Sequence, residues 1–269
     1  MRINQRLAET QNNFALYRSI KIYRALGAKH EKLASGQSVF SSPFRGQPDF
    51  ELSQTVHNLI VSIYGETLIH SINQSMIESY REFAPREISE KLIEQVDNAF
   101  FKTSKYNYYW ISEWFRYSIS SSFDDLADIT VLAKKHRAMF EARRPIRRGR
   151  LFKDQLWGKT YLPLIEKGRM MAVIKDGKIA SFSTVTDLPF GGANIAVVTY
   201  PEFRKKGYGA KCVKKAVNWC NENNRIPIYL VSSSNASSIG LAEKLGFKRF
   251  SREIRTTANA PVKTQNLLY

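Results

Sequence analysis

Cysteine is scarce in this chain of 269 residues: there are two, Cys212 and Cys220. They stand eight apart in a segment whose spacing predicts a helix, so their Cα atoms would lie ~12 Å apart. A disulfide needs less than ~7 Å, which excludes a bridge between them. Reduced thiols in a cytoplasmic setting are the natural reading. Two helical turns also put both residues on one face, where packing is their use. The four histidines, His30, His57, His70 and His136, are scattered and never reach metal-ligand spacing with another His or Cys, so no metal is expected. No apolar run approaches the ~20 residues of a membrane span, and Met1-Arg-Ile-Asn-Gln-Arg-Leu-Ala-Glu has no secretory h-region. No membrane association is expected. There is no internal repeat and no low-complexity tract. The Walker pattern Gly-Lys-Ser/Thr is missing, and the glycines do not fit the Gly-x-Gly-x-x-Gly dinucleotide fingerprint.

Positive charge is plentiful and unevenly placed. The net charge is +17, with +1 from residues 1–104 and +16 from residues 105–269. A surface of that sign favours anionic partners such as nucleotide cofactors, nucleic acid or acidic substrates, although a basic surface with no partner has the same composition. Arg143-Arg-Pro-Ile-Arg-Arg-Gly-Arg150 concentrates it in a segment broken by Pro and Gly. Two readings stay open there: a solvated basic loop, or a contact for phosphate or an acidic substrate.

Residues 1–104 read as a helical N-terminal domain. A helix is expected from about Asn4 to His30. Ser35 to Pro48 has turn chemistry and reads as a loop. Leu52, Val56, Leu59, Ile60, Ile63 and Tyr64 follow the spacing of one helix face. Pro85 suits the first position of a helix running to about Phe101. From Tyr106 to Ile119 the chain is aromatic and β-branched, which suits a strand and a bend. Its aromatics serve either a core or, alternatively, a platform for stacked bases. Ser122, with Asp124 and Asp125 in the first turn, predicts a helix to about Phe140.

Residues 105–269 read as a second domain. Met170–Ile174 and Ile179–Val185 form strands joined by an Asp176-Gly177 turn. Asn194–Tyr200 is a third strand, and a helix covers about Gly207 to Glu222. Ile226–Val231 is a strand, about Ala236 to Leu245 a helix stopped by Gly246, and Phe247 to Arg255 the last strand.

One unit carries chemistry: strand, glycine loop, helix, in Val197-Val-Thr-Tyr-Pro-Glu-Phe-Arg-Lys-Lys-Gly-Tyr-Gly-Ala210. Gly207 and Gly209 let a ligand approach the backbone. The helix start offers unpaired N–H groups and a positive dipole end, which together suit a pyrophosphate. Arg204, Lys205 and Lys206 add charge at the same place. Pro201 breaks the chain after the strand.

Pro201-Glu-Phe-Arg-Lys-Lys-Gly-Tyr-Gly209 resembles motif A of the GNAT superfamily of acetyl-CoA-dependent N-acetyltransferases. About 25 residues on, Asn235-Ala-Ser-Ser-Ile-Gly-Leu-Ala-Glu-Lys-Leu-Gly-Phe247 resembles its motif B. The likeness covers about residues 169–250 and extends more loosely to Tyr106. It implies an α+β fold: a mixed, mostly antiparallel central sheet flanked by helices, here preceded by a smaller helical domain. It implies acetyl-CoA as cosubstrate and direct transfer of acetyl to an amine. It also implies that Val197, Val198 and Thr199 pair with the pantetheine arm. Lys205, Lys206, Gly207, Tyr208, Gly209 and Ala210, with Arg204, would then hold the pyrophosphate. Asn235 would contact pantetheine, or act simply as a helix N-cap, and Lys244 could reach a phosphate.

The sequence departs from the family at two points. Ala242 stands where many relatives have the tyrosine that protonates the thiolate, and no glutamate base lies in Asn194–Tyr200. Tyr208, Ser232, Ser234 or water could supply the acid; Glu113, Glu141 and Asp187 are candidate bases. Three functions therefore stand side by side. One is an N-acetyltransferase acting on an amine. The second acts on an anionic or RNA-linked acceptor. The third is a non-catalytic acyl-CoA-binding or RNA-interacting module on a degenerate fold. For residues 1–104 the uses are shaping the acceptor site, forming a homodimer, or bracing the remainder.

Overall fold

A computed structural model describes residues 37–47, 55–64, 67–106, 108–124, 126–142, 157–188 and 191–259. The chain is a mixed α+β protein whose strands pair mostly antiparallel, and it divides into two compact units. One comprises residues 116–250, the other residues 1–115 with 251–269. The expected helix from Asn4 to His30 and the arginine-rich segment 143–150 lie outside the described residues.

In the unit built from both chain ends, strand order is β1 (Gln37–Ser41), β3 (Thr67–Ile72), β2 (Thr55–Tyr64), β10 (Lys248–Asn259), with β4 (Tyr109–Ser118) beyond. This corrects two expectations. Residues 55–64 are a strand, not one face of a helix, and Gln37–Ser41 is a strand within the predicted loop. The physical reason is burial on both sides. Val56, Leu59, Ile60, Val61 and Ile63 are all buried, so β2 has no polar alternation to betray it. Its β-branched residues then decide in favour of extended backbone. β2 pairs antiparallel with β3 and with β10, the latter from Arg252↔Ile63 to Asn259↔Thr55. Over one face of these strands pack α1 (Ile77–Phe83) and α2 (Leu92–Thr103), burying Tyr80, Leu92, Val96 and Phe100 against Leu59, Val61 and Leu68. α2 is the helix expected from Pro85, begun seven residues later. Within this core, burial lowers the His70 imidazole to about 4 against the raising effect of a hydrogen bond it donates to the Pro85 carbonyl, and its Nδ1 lies 2.9 Å from the Tyr80 hydroxyl.

In the other unit the order is β9 (Ile226–Ser232), β8 (Gly192–Thr199), β7 (Lys178–Asp187), β6 (Met170–Lys175), β5 (Thr130–Val131). The hairpin between β6 and β7 turns at Asp176 and Gly177, both left-handed, as its sequence predicts. The expected helix from Ser122 to Phe140 is replaced by irregular chain, the two-residue β5, and α3 (Arg137–Ala142). Two interactions overrule the helical signals. Asn218 clamps the backbone of Phe123, receiving its N–H at 2.9 Å and donating to its C=O at 2.6 Å. Thr130 and Val131 pair with Ala172 and Met171 of β6.

Helix α5 (Tyr208–Glu222) covers one face of this sheet with Cys212, Val213, Ala216, Val217 and Cys220. Both thiols are free and buried, and burial pushes them up to about 11 and about 12. On the other face, α3 and α4 (Leu162–Glu166) enclose a core of Phe140, Trp157, Ile165, Met170, Ala172 and Phe182. Helix α6 (Ala236–Lys244) follows β9.

Candidate functional site: parted strands and an uncapped helix

β8 and β9 begin as a parallel pair. Three rungs join them, Gly192↔Ile226, Ala193↔Pro227 and Asn194↔Ile228, and no further rung follows among the described residues. On its other side β8 stays paired with β7 through Thr199. The strands therefore part after Asn194, leaving a wedge with its vertex at that rung.

The alternation of strand hydrogen bonds shows which backbone groups line the wedge. Leu188 N–H donates to Gly192 C=O and Tyr200 N–H to Ala180 C=O, so the even-numbered residues of β8 direct their peptide groups to β7. Ile195, Val197 and Thr199 direct theirs into the wedge. Val198, opposite Phe182, spends its backbone on β7 and turns its side chain outward, 44% exposed. Of the three residues named for pantetheine pairing, Val197 and Thr199 turn their backbone groups into the wedge and Val198 turns its own to β7.

At the wide end of the wedge the chain turns through Pro201–Phe203 into α5. Lys205 and Gly207 are both left-handed, with φ of 61° and 77°. A lysine held there stores strain, as functional loops commonly do. Gly207 is the N-cap of α5, and no side chain caps this end. Gly207 and Gly209 are glycines for different reasons. A Cβ on Gly207 would meet nothing within 4 Å, so its positive φ is what demands glycine. A Cβ on Gly209 would stand 2.9 Å from Thr199 Oγ1 and 3.7 Å from Val197 Cγ2. Gly209 thereby lets the helix start lie against the strand edge that faces the wedge.

Charge gathers at the same end. Arg204 Nε donates to Thr199 C=O at 3.4 Å. Lys206 Nζ lies 5.6 Å from the Phe203 ring centre and Lys175 Nζ 5.8 Å from that of Tyr208. The tyrosine ring also packs near Phe203. The cations and the free N–H groups of the first turn form one anion-attracting surface.

Helix α6 begins beside the wedge. Asn235 Oδ1 accepts from Ser238 N–H at 3.1 Å, the N-cap geometry, so its amide nitrogen is what is left for a ligand. Lys244 is exposed in the last turn. Ser232 and Ser234 share a hydrogen bond of 2.9 Å. Ala242 is fully buried, so this position is closed by packing. One turn earlier, Ser238 Oγ lies 2.8 Å from the hydroxyl of the buried Tyr229, a pair that sequence reading missed. Tyr229 follows the last rung directly.

The candidate carboxylates are all engaged by cations. Glu113 is ion-paired with Arg252 and Glu141 with Arg137 at 2.7 Å. Asp187 meets Arg169 at 2.6 Å and Arg225 at 3.6 Å. Burial would raise its carboxyl, but the hydrogen bond and charge of Arg169, with Arg225 and Lys167, outweigh it and hold the group low. That makes it a weak base. Among the described residues no cluster of His, Cys, Asp or Glu could hold a metal ion, and no helix is long and apolar enough to cross a membrane.

Residues 132–247, which span this wedge and its helices, match the family model of the GNAT acetyltransferases. That segment is similar to the GNAT acetyltransferases. Three solved structures illustrate the likeness. A GNAT-family protein from Novosphingobium aromaticivorans DSM 12444 is 21% identical with a TM-score of 0.42; the match covers 56% of this chain and 66% of that one, just under two thirds. A GNAT-family acetyltransferase from Colwellia psychrerythraea is 10% identical, TM-score 0.49, covering 70% and 75%. A GCN5-related N-acetyltransferase-like protein from Streptococcus suis 89/1591 is 12% identical, TM-score 0.44, covering 78% and 86%. Among curated proteins no match is found.

Proposed function

We propose that this protein is a GNAT-type acyltransferase that transfers acetyl from acetyl-CoA directly to an amine. The observation that carries the reading is the parting of β8 and β9 after Asn194↔Ile228, with an open backbone edge that runs into the uncapped start of α5. An edge of that kind pairs with an extended amide-bearing chain as a further strand would. The stretch Ile195–Thr199 spans roughly 15 Å at strand rise, the scale of an extended pantetheine arm. The helix start suits the pyrophosphate at the end of that arm.

In this reading Val197 and Thr199 bind the pantetheine amides through their backbones. The amides of Lys205 to Ala210, with Arg204 and Lys206, receive the pyrophosphate. Asn235 Nδ2 and Lys244 supply outer contacts. A wedge-facing N–H of β8 polarises the thioester carbonyl, where negative charge grows during the reaction. The acceptor nitrogen bonds to the acetyl carbon as the carbon–sulfur bond breaks. The electron pair stays with sulfur, and the proton lost by nitrogen balances the one sulfur takes up. Ser238, steadied by Tyr229, is the hydroxyl best placed beside the closed Ala242 position to serve the sulfur.

Isothermal titration with acetyl-CoA tests the reading, with binding expected in the wild type and lost in Gly209→Trp. No binding by the wild type sinks it. Release of thiol from acetyl-CoA that depends on added amine separates a transferase from a binding module.

A further inference from the structure

Asn194 is the single amide side chain of β8, near the start of the strand, and it occupies the vertex of the wedge. Its Oδ1 is buried and has no hydrogen-bond partner. Such an atom is costly to bury unless something donates a hydrogen bond to it, and ligand sites are where that cost is recovered. We propose that the Asn194 side-chain amide receives the N–H of the acceptor amine and so fixes the acceptor site on the sheet face turned away from α5 and α6. The proposal rests on the acetyl-CoA reading above.

The face follows from strand alternation. Val197 and Thr199 approach Gly209 of α5, so the odd positions of β8 face the helices. Asn194, Ala196 and Val198 face the other way, and Ala196 and Val198 are exposed. Across the antiparallel pairing, Thr186 stands opposite Asn194 and Thr184 opposite Ala196. Along β9, Ile228 is the register partner of Asn194, so Leu230 and Ser232 share this face while Tyr229 turns to α6. The result is an apolar floor edged with hydroxyls and ending at the Asn194 amide.

Chemistry selects the partner. Oδ1 accepts hydrogen bonds and cannot donate. An acetyl thioester has no proton to give; a primary amine has. With the pyrophosphate at the start of α5, an arm laid along Ile195–Thr199 brings its thioester end to the vertex. An amine held by Asn194 then meets the acetyl carbon from the open face. Asn194 acts here as a positioning residue, and its neutral amide leaves the amine free to lose its proton elsewhere.

The test uses the full-length protein, acetyl-CoA and four amines of different build: benzylamine, spermidine, glucosamine and tri-alanine. For the best acceptor, Asn194→Ala should raise the amine KM about tenfold, one hydrogen bond's worth, with the Kd of acetyl-CoA unchanged within about twofold. Asn194→Asp keeps an acceptor oxygen of the same shape and should hold the amine KM within about threefold of wild type. This rescue distinguishes positioning from a structural role. An unchanged amine KM in Asn194→Ala overturns the inference. A loss of acetyl-CoA affinity equal to the rise in KM also overturns it, since the amide would then serve a pantetheine N–H. Wild-type protein that binds acetyl-CoA but acetylates none of the four amines overturns it together with amine transfer. Failure to bind acetyl-CoA at all defeats the donor reading first.

Discussion

Thr199 Oγ1 occupies the position that leaves no room for a Cβ on Gly209, 2.9 Å away. The hydroxyl is itself held at 2.9 Å by Ser181 Oγ, so it cannot turn aside without breaking that bond. Gly209→Ala should therefore lower stability by ~1–3 kcal/mol, the cost of overpacking, and weaken acetyl-CoA binding. Thermal denaturation and calorimetry check both. The double variant Gly209→Ala with Thr199→Ala should regain most of the lost stability, and failure to regain it would refute the steric cause.

Gly207→Ala separates conformation from space. Its Cβ would meet open surroundings, but φ is 77°, and a left-handed conformation costs an ordinary residue about 1–2 kcal/mol. Gly207→Asn should cost less, because asparagine tolerates that region. A chemical-denaturation series of the three proteins reads the order directly.

Much of this loop was legible in the sequence, because glycine, proline and charge at fixed spacing have few other uses. The wedge itself was not. Whether Asn194 or Val198 pairs with β9 depends on where two strands diverge, and no residue spells that out. β2 failed to be read for a different reason. A strand buried on both faces loses its alternation, and Val56, Leu59, Ile60 and Ile63 then mimic a helical stripe. Ser122 to Phe140 misled because its helix-start signals are real but local, and the Asn218 clamp on Phe123 outweighs them. Asn194 could have been noticed as the lone amide of its strand, though only the parted strands give it a meaning.

Placing at position 242 the tyrosine that GNAT proteins often carry there should harm the protein. Ala242 is fully buried, and a side chain of that size would overpack α6 by ~1–3 kcal/mol or more. Ala242→Tyr is expected to lower Tm without raising turnover. A gain in kcat would show that the closed position can reopen.

His70 predicts an acid-sensitive core. Its imidazole titrates near 4 when folded against 6.5 in an open chain, with burial as the main cause. The unfolded chain thus binds more protons between these values, and stability falls as pH drops from about 6.5 towards 4, by as much as ~3 kcal/mol. Denaturant midpoints at pH 7 and pH 5 should differ in the wild type. In His70→Gln the difference should shrink, and an unchanged pH slope would exclude this residue as the source.

The register of β10 on β2 has a consequence for synthesis. Arg252 to Asn259 seat against Ile63 to Thr55, partners separated by nearly the whole intervening chain. While the ribosome is still making residues 116–250, one long edge of β2 is exposed and unable to close. The first-made unit is therefore the last completed. A nascent chain stopped at residue 250 should be recognised by chaperones or aggregate through that bare edge, whereas the ten residues that follow would convert it to a folded protein.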